Sequence, residues 1–181
     1  TIDKAIKRTL ENKFIEVKLE VIGPENSLMV IEAEVDNYNF FRNECRKILK
    51  KYVGFGFANE GRVMSAFEEK GVVRVRNLEG TATFDLNKAE EVAIEADAEE
   101  VRVNDEDDTI LMFIGDQHSH TKVKAYIEAN LADQYVIVEN GVELLPFVKN
   151  ESISEESFTN VVTAIDQIGE LEGVSRIYTN V

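Results

Sequence analysis

Residues 14–35, FIEVKLEVIGPENSLMVIEAEV, constrain the fold more than any other stretch. Ile15, Val17, Leu19 and Val21 alternate with Glu16, Lys18 and Glu20. A period of two sends apolar and charged side chains to opposite faces, so the segment predicts a half-buried strand. GPEN, 23–26, predicts a tight turn, with Pro24 fixing φ and Asn26 tolerating a left-handed backbone. LMVIEAEV then returns as a second strand, and the two form a hairpin that must cover one face with something.

The next segment can supply the cover. On a helix, Phe41, Cys45, Ile48, Leu49 and Tyr52 share one face, with Asn39 as the expected N-cap and Gly54 and Gly56 as the stop. Arg42, Arg46 and Lys50 form a stripe at spacing four beside that face, with Lys47 and Lys51 further round. RVMSAFEE and GVVRVRN, 62–69 and 71–77, read as two strands. From Gly71 onward the order becomes strand, helix (86–96), strand, strand, helix (HSHTKVKAYIEANL), strand, the ferredoxin-like order. Leu86, Ala89, Ala93 and Ala96 face inward from the first of these helices, and Val123, Tyr126, Ile127 and Leu131 from the second, which Asp116 or Ser119 can cap. One last helix, with Phe158, Val161, Val162, Ile165 and Ile168 as its apolar stripe, and one last strand, SRIYTNV, complete the chain.

A lone helix and strand cannot bury their apolar faces, whereas the first block has a sheet with one helix and room for another. The expected class is therefore α+β: two α/β sandwich domains, the second ferredoxin-like and inserted into the first. The expected partition is 13–69 with 149–181 as a discontinuous domain and 70–148 as the insertion. Residues 2–10, with Ile2, Ile6 and Leu10 at spacing of four, read as a short helix.

Charge is distributed unevenly. Lys and Arg number 20 against 35 Asp and Glu, a net charge of −15. Residues 1–70 are neutral, with 12 of each sign, while 71–148 carry 6 basic and 17 acidic residues. The cationic helix thus lies in the one neutral region of an acidic chain, which points to a confined contact with phosphate. Lys4, Lys7, Arg8 and Arg62 extend the candidate set to Arg42, Arg46, Lys47, Lys50 and Lys51.

Signals for catalysis are poor. His118 and His120, two apart on a helix, point to different sides and cannot chelate one metal together. Cys45 lies on an apolar face and reads as a core residue. NDEDD, 104–108, has no glycine at the calcium-loop spacing, and GFGF, 54–57, follows a helix where a phosphate loop would lead into one. No enzyme activity, cofactor, metal, small-molecule substrate or membrane partner is expected.

In order along the chain, TIDKAIKR, VIGPENSLMVIEAEVDN, ECRKILKK, EGRVMSAFEEKGVVRV, AIEADAEEV, LLPFVK and LEGVSRIYTN resemble the motifs of the YebC family, including its mitochondrial translational activators. The resemblance implies a helical first domain followed by two α/β domains, the last inserted into the middle one, and makes residues 1–12 the end of a truncated N-terminal helical domain. It also implies a non-enzymatic translation factor that binds the ribosome or messenger RNA, expected in the mitochondrial matrix, with the bacterial cytoplasm as the alternative. The alternative it leaves open is a DNA-binding transcriptional regulator. GPEN and YVGFGFANEGR have lost glycines of the family pattern, and Asp97 stands where the family has a helix-ending glycine.

Overall fold

The computed structural model describes residues 13–181. The chain divides into two compact units, residues 13–67 with 146–181, and residues 68–145. Both are mixed α/β structures, with two antiparallel four-stranded sheets and four α-helices in total among the described residues.

In the first unit, β1 (Ile15–Ile22) and β2 (Leu28–Val35) pair in continuous antiparallel register from Ile15 opposite Val35 to Ile22 opposite Leu28. The turn between them holds both Glu25 (φ 53) and Asn26 (φ 61) in the left-handed region. The turn residues of GPEN predict Asn26 there; Glu25 is an addition, and a costly one for a residue with a Cβ. Contacts from the far end of the chain hold it. Ser154 donates to the Glu25 carboxylate from its N–H at 2.6 Å and its hydroxyl at 2.9 Å, which keeps that carboxyl below its ordinary pKa. Asn180 accepts from the Leu28 N–H at 2.7 Å and donates to the Asn26 carbonyl at 3.2 Å.

Helix α1 (Tyr38–Leu49) follows. Its cap is Asn37, not Asn39: the Asn37 side chain accepts the Phe40 N–H at 3.0 Å. Asn37 keeps the extended backbone of the strand end, as a cap must, whereas Asn39 is already inside the first turn. The short β3 (Gly56–Phe57) pairs with the end of β1.

Residues 62–77 hold one strand, not two. Arg62–Ala66 is a turn ending in a 3-10 segment, and β4 (Phe67–Asn77) runs unbroken through Gly71. The reason lies in β1. Glu20, on the charged phase of the alternation, is buried, and its carboxylate accepts the N–H groups of Gly61, Val63 and Met64 at 2.6–2.7 Å. Those amides are thereby withdrawn from any strand ladder.

The second unit continues with α2 (Leu86–Glu95), β5 (Glu100–Val103), β6 (Ile110–Gly115), α3 (Ser119–Asn130) and β7 (Tyr135–Pro146). Its sheet runs β5-β6-β4-β7, so the strand nearest the start of the unit lies beside the one nearest its end. Val73, Val75, Phe113, Ala93, Val123 and Ile127 pack between sheet and helices. Leu86, expected inside, is about half exposed, and Val92 takes the inward place. Asp97, at φ 66, does adopt the left-handed conformation a helix-ending glycine would, and its carboxylate pairs with Lys122 at 2.6 Å. Asp116 organises the start of α3, accepting the N–H groups of His118 and Ser119 at 2.7 and 3.0 Å.

The chain then returns to the first unit as α4 (Glu155–Gly169) and β8 (Val174–Thr179). The completed sheet is ordered β3-β1-β2-β8. One face of α4 meets the core through Val161, Ala164 and Ile168, and Phe158 and Val162 stay exposed, contrary to the expected stripe. The core joins these residues to Val21, Ile31, Phe41 and Cys45.

Candidate nucleic-acid interface

Helix α1 is oriented by its apolar face. Phe41, Cys45, Ile48 and Leu49 are buried against the sheet, with Tyr52 partly buried behind them, as the spacing predicts. Burial pushes the Cys45 thiol up to about 12, so it stays protonated and inert at neutral pH. With that face fixed, Arg42, Arg46, Lys47 and Lys50 must lie along the flank and outer side of the helix.

Two of them are brought together by an aromatic ring the charge pattern did not single out. The Arg42 guanidinium carbon lies 4.4 Å from the centre of the Phe57 ring, and that of Arg46 lies 5.6 Å from it. Phe57 is held there by β3, where it faces Val21 across the ladder. The ring face attracts both cations without neutralising them, a contact worth about 0.5–1 kcal/mol each at an exposed site. Arg46 also donates to the Asn43 side chain at 3.1 Å, again leaving its charge intact.

The other cations are less uniform. Lys47 is paired with Glu44 at 2.5 Å, which weakens its claim on phosphate, although it remains largely exposed. Lys50 is exposed and lines a shallow depression with Phe40, Asn43, Arg46 and Lys47. Lys51 reaches the Gln167 side chain at 3.4 Å, toward α4. Arg62 is exposed on the loop that Glu20 anchors, and its neighbours Gly61 and Met64 line the same groove as Arg42 and Phe57. Lys4, Lys7 and Arg8 lie outside the described residues.

That groove, of about 940 Å³, runs along β1 and is mixed in charge: Arg42 and Lys18 share it with Glu16, Glu34 and Glu60. The cationic surface is therefore a flank of α1, bounded on the groove side by carboxylates. Elsewhere, Arg74 is bound by the buried Glu143 carboxylate and by Glu139, and Arg76 by Asp107 at 3.2 Å, so the second unit's strand arginines are consumed internally. Among the described residues no group of three or more His, Cys, Asp or Glu is placed to hold a metal ion. No helix among them is long and apolar enough to cross a membrane.

Phe57 and Glu20 were not legible as site residues. Each acts on residues outside its own element, Glu20 on amides 41 to 44 residues away and Phe57 on the α1 arginines before it. The available signal was a glycine-rich loop, GFGFANEG, whose free N–H groups needed an acceptor.

Known proteins place this architecture. A protein of Persephonella marina called a probable transcriptional regulatory protein is 30% identical over 184 residues, covering 99% of this chain and 69% of its own. Proteins given the same description in Kosmotoga olearia and Deinococcus radiodurans are 29% and 27% identical, with 99% of this chain covered in each and 68% and 69% of their own lengths. The crystal structure of the conserved hypothetical protein Aq1575 from Aquifex aeolicus superposes with a TM-score of 0.79 at 24% identity, covering 99% of this chain and 71% of that one, which establishes a shared fold. The pattern of the TACO1/YebC second and third domain matches residues 14–181. The chain belongs to the TACO1/YebC family.

Proposed function

We propose that this chain is a non-enzymatic regulatory protein that contacts nucleic acid through the cationic flank of α1. The observation that carries the reading is the pair of guanidiniums, Arg42 and Arg46, gathered on one ring and left with their charge intact. Cations arranged this way bind phosphate strongly without reading sequence. The names of the bacterial relatives, probable transcriptional regulatory proteins, favour DNA as the partner and the bacterial cytoplasm over the mitochondrial matrix as the compartment.

The second reading is a translation factor on messenger RNA or the ribosome. The charge of −15 favours it. A single cationic stripe on an otherwise repulsive molecule suits a polyanion that is also held by other contacts, as ribosomal RNA would be. Both readings take 13–69 with 149–181 as one α/β domain and 70–148 as an inserted ferredoxin-like domain. The strand order of the second unit and its two helices support that partition.

The discriminating experiment measures duplex DNA, single-stranded RNA and ribosome binding with the parent and with Arg42→Glu, Arg46→Glu and Lys50→Glu combined. The variant's affinity for the true partner falls at least about 30-fold, because three attractive phosphate contacts become repulsive. The partner on which the fall occurs decides between the readings. Equal binding by parent and variant to all three would remove α1 from the contact.

A further inference from the structure

A second surface lies at the start of α1, past Phe40, and its chemistry is opposite to that of the cationic flank. A groove of about 550 Å³ has Phe14, Phe40 and Leu171 among its apolar lining residues. Phe14 is 62% exposed and Phe40 64%, so two aromatic rings that could have been buried face solvent in one depression. Four carboxylates line the same groove, Glu34, Asp36, Glu44 and Glu172, and among the described residues no lysine or arginine does. Glu44 is paired with Lys47. Glu34, Asp36 and Glu172 make no ion pair among the described residues, and all three are exposed.

We propose that this groove docks a cationic amphipathic segment of a protein partner, with an apolar side chain on Phe14 and Phe40 and flanking lysines or arginines facing Glu34, Asp36 and Glu172. Exposed aromatics in a concave apolar site are the usual anchors of peptide docking. The rim selects the occupant by charge. An unpaired nucleobase could stack on Phe40, but its phosphates would then lie among four carboxylates. A neutral peptide would desolvate the rim without a counter-charge. A second copy of the chain would set this patch against itself across a two-fold axis and oppose carboxylate to carboxylate. A basic peptide alone satisfies floor and rim together. Phe40 borders both surfaces, so the protein would hold nucleic acid on one flank of α1 and a basic partner protein at its start.

The probe is a fluorescent synthetic helix-forming peptide with leucines on one face and lysines on the other, titrated against the full chain. An acidic protein attracts any polycation, so the decisive variant is Phe40→Ser, which leaves the net charge unchanged. The proposal expects Phe40→Ser to weaken the peptide by about tenfold or more, as loss of an aromatic anchor does. It expects a similar loss when Glu34→Gln, Asp36→Asn and Glu172→Gln are combined, and when glutamine replaces lysine in the peptide. Arg42→Glu with Arg46→Glu and Lys50→Glu should not weaken the peptide, even where it abolishes nucleic-acid binding, so the two surfaces fail separately. Peptide binding indifferent to Phe40→Ser and to the neutralised rim would overturn the proposal. So would single-stranded RNA displacing the peptide from the Arg42→Glu, Arg46→Glu, Lys50→Glu variant, whose α1 cations are gone, or a dimer in sedimentation that Phe40→Ser dissolves.

Discussion

Glu20→Ala is expected to destabilise the protein by about 4 kcal/mol, because it strips one acceptor from three amides at once. Gly61, Val63 and Met64 all donate to the Glu20 carboxylate, and Val63 is fully buried, so water cannot replace the lost acceptor there. Hydrogen bonds to an ionised acceptor are about twice as strong as neutral ones, and each orphaned buried N–H costs about 1–3 kcal/mol. Partial exposure at Gly61 and Met64 lets solvent recover part of the loss, which keeps the total near the stated figure. Glu20→Gln keeps one acceptor oxygen and should cost about half as much. Urea unfolding checks both through the midpoint at constant m, and amide exchange at Val63 and Met64 should quicken well before global unfolding. An alanine variant within about 1 kcal/mol of the parent would mean the loop is held by something else. The consequence reaches the candidate interface, since Gly61 and Met64 line the groove with Arg42 and Phe57.

Gly173→Ala is the second large effect, expected at about 3 kcal/mol. Gly173 sits at φ +91 where the chain leaves α4 for β8. An added Cβ there would strike the Glu34 carbonyl oxygen and stand 3.0 Å from Val35 Cγ1. The obstacle is backbone, and it cannot move freely, because the Glu34 N–H donates to the Gly173 carbonyl at 2.8 Å. The approach occurs beside the irregularity in the β2–β8 register, between Glu32 and Ala33. Gly61→Ala is the matched control: φ is +84 but nothing lies within 4 Å of the new Cβ. It carries backbone strain alone and should cost about 1–2 kcal/mol. Equal costs at the two glycines would show that the close approach to Glu34 contributes nothing.

The local architecture was readable because it is set by periodicity. The spacing of Phe41, Cys45, Ile48 and Leu49, and of Val17, Leu19 and Val21 in the alternating strand, has one arrangement that buries apolar area, and the chain adopts it, although Ile15 at the strand's start stays exposed. Where sequence reading went astray, a contact distant in sequence overrode a local pattern. Asn39 was a plausible cap until the end of β2 put Asn37 in the extended conformation. Residues 62–66 looked like strand until Glu20 took their amides. Phe158 and Val162 fit a helical stripe, but of that stripe α4 buries Val161 and Ile168, adds Ala164, and leaves Phe158 and Val162 exposed. The cationic character of α1 was visible in its composition, yet which cations gather depends on Phe57, and Lys47 is drawn off by Glu44. Periodicity carries no record of such pairings, because they are set by tertiary approach.

Salt dependence tests the central claim most directly, since phosphate contact by the α1 cations releases counterions in proportion to their number. Binding to whichever nucleic acid proves to be the partner should be measured from about 50 to about 200 mM salt, and three to four contacts from Arg42, Arg46, Lys50 and a neighbour give a slope of about −3 in log K against log salt. The account predicts that slope for the parent and a slope near zero for the Arg42→Glu, Arg46→Glu, Lys50→Glu variant. A variant that keeps the parent's slope would contradict it, because the phosphates would then be held elsewhere on the molecule.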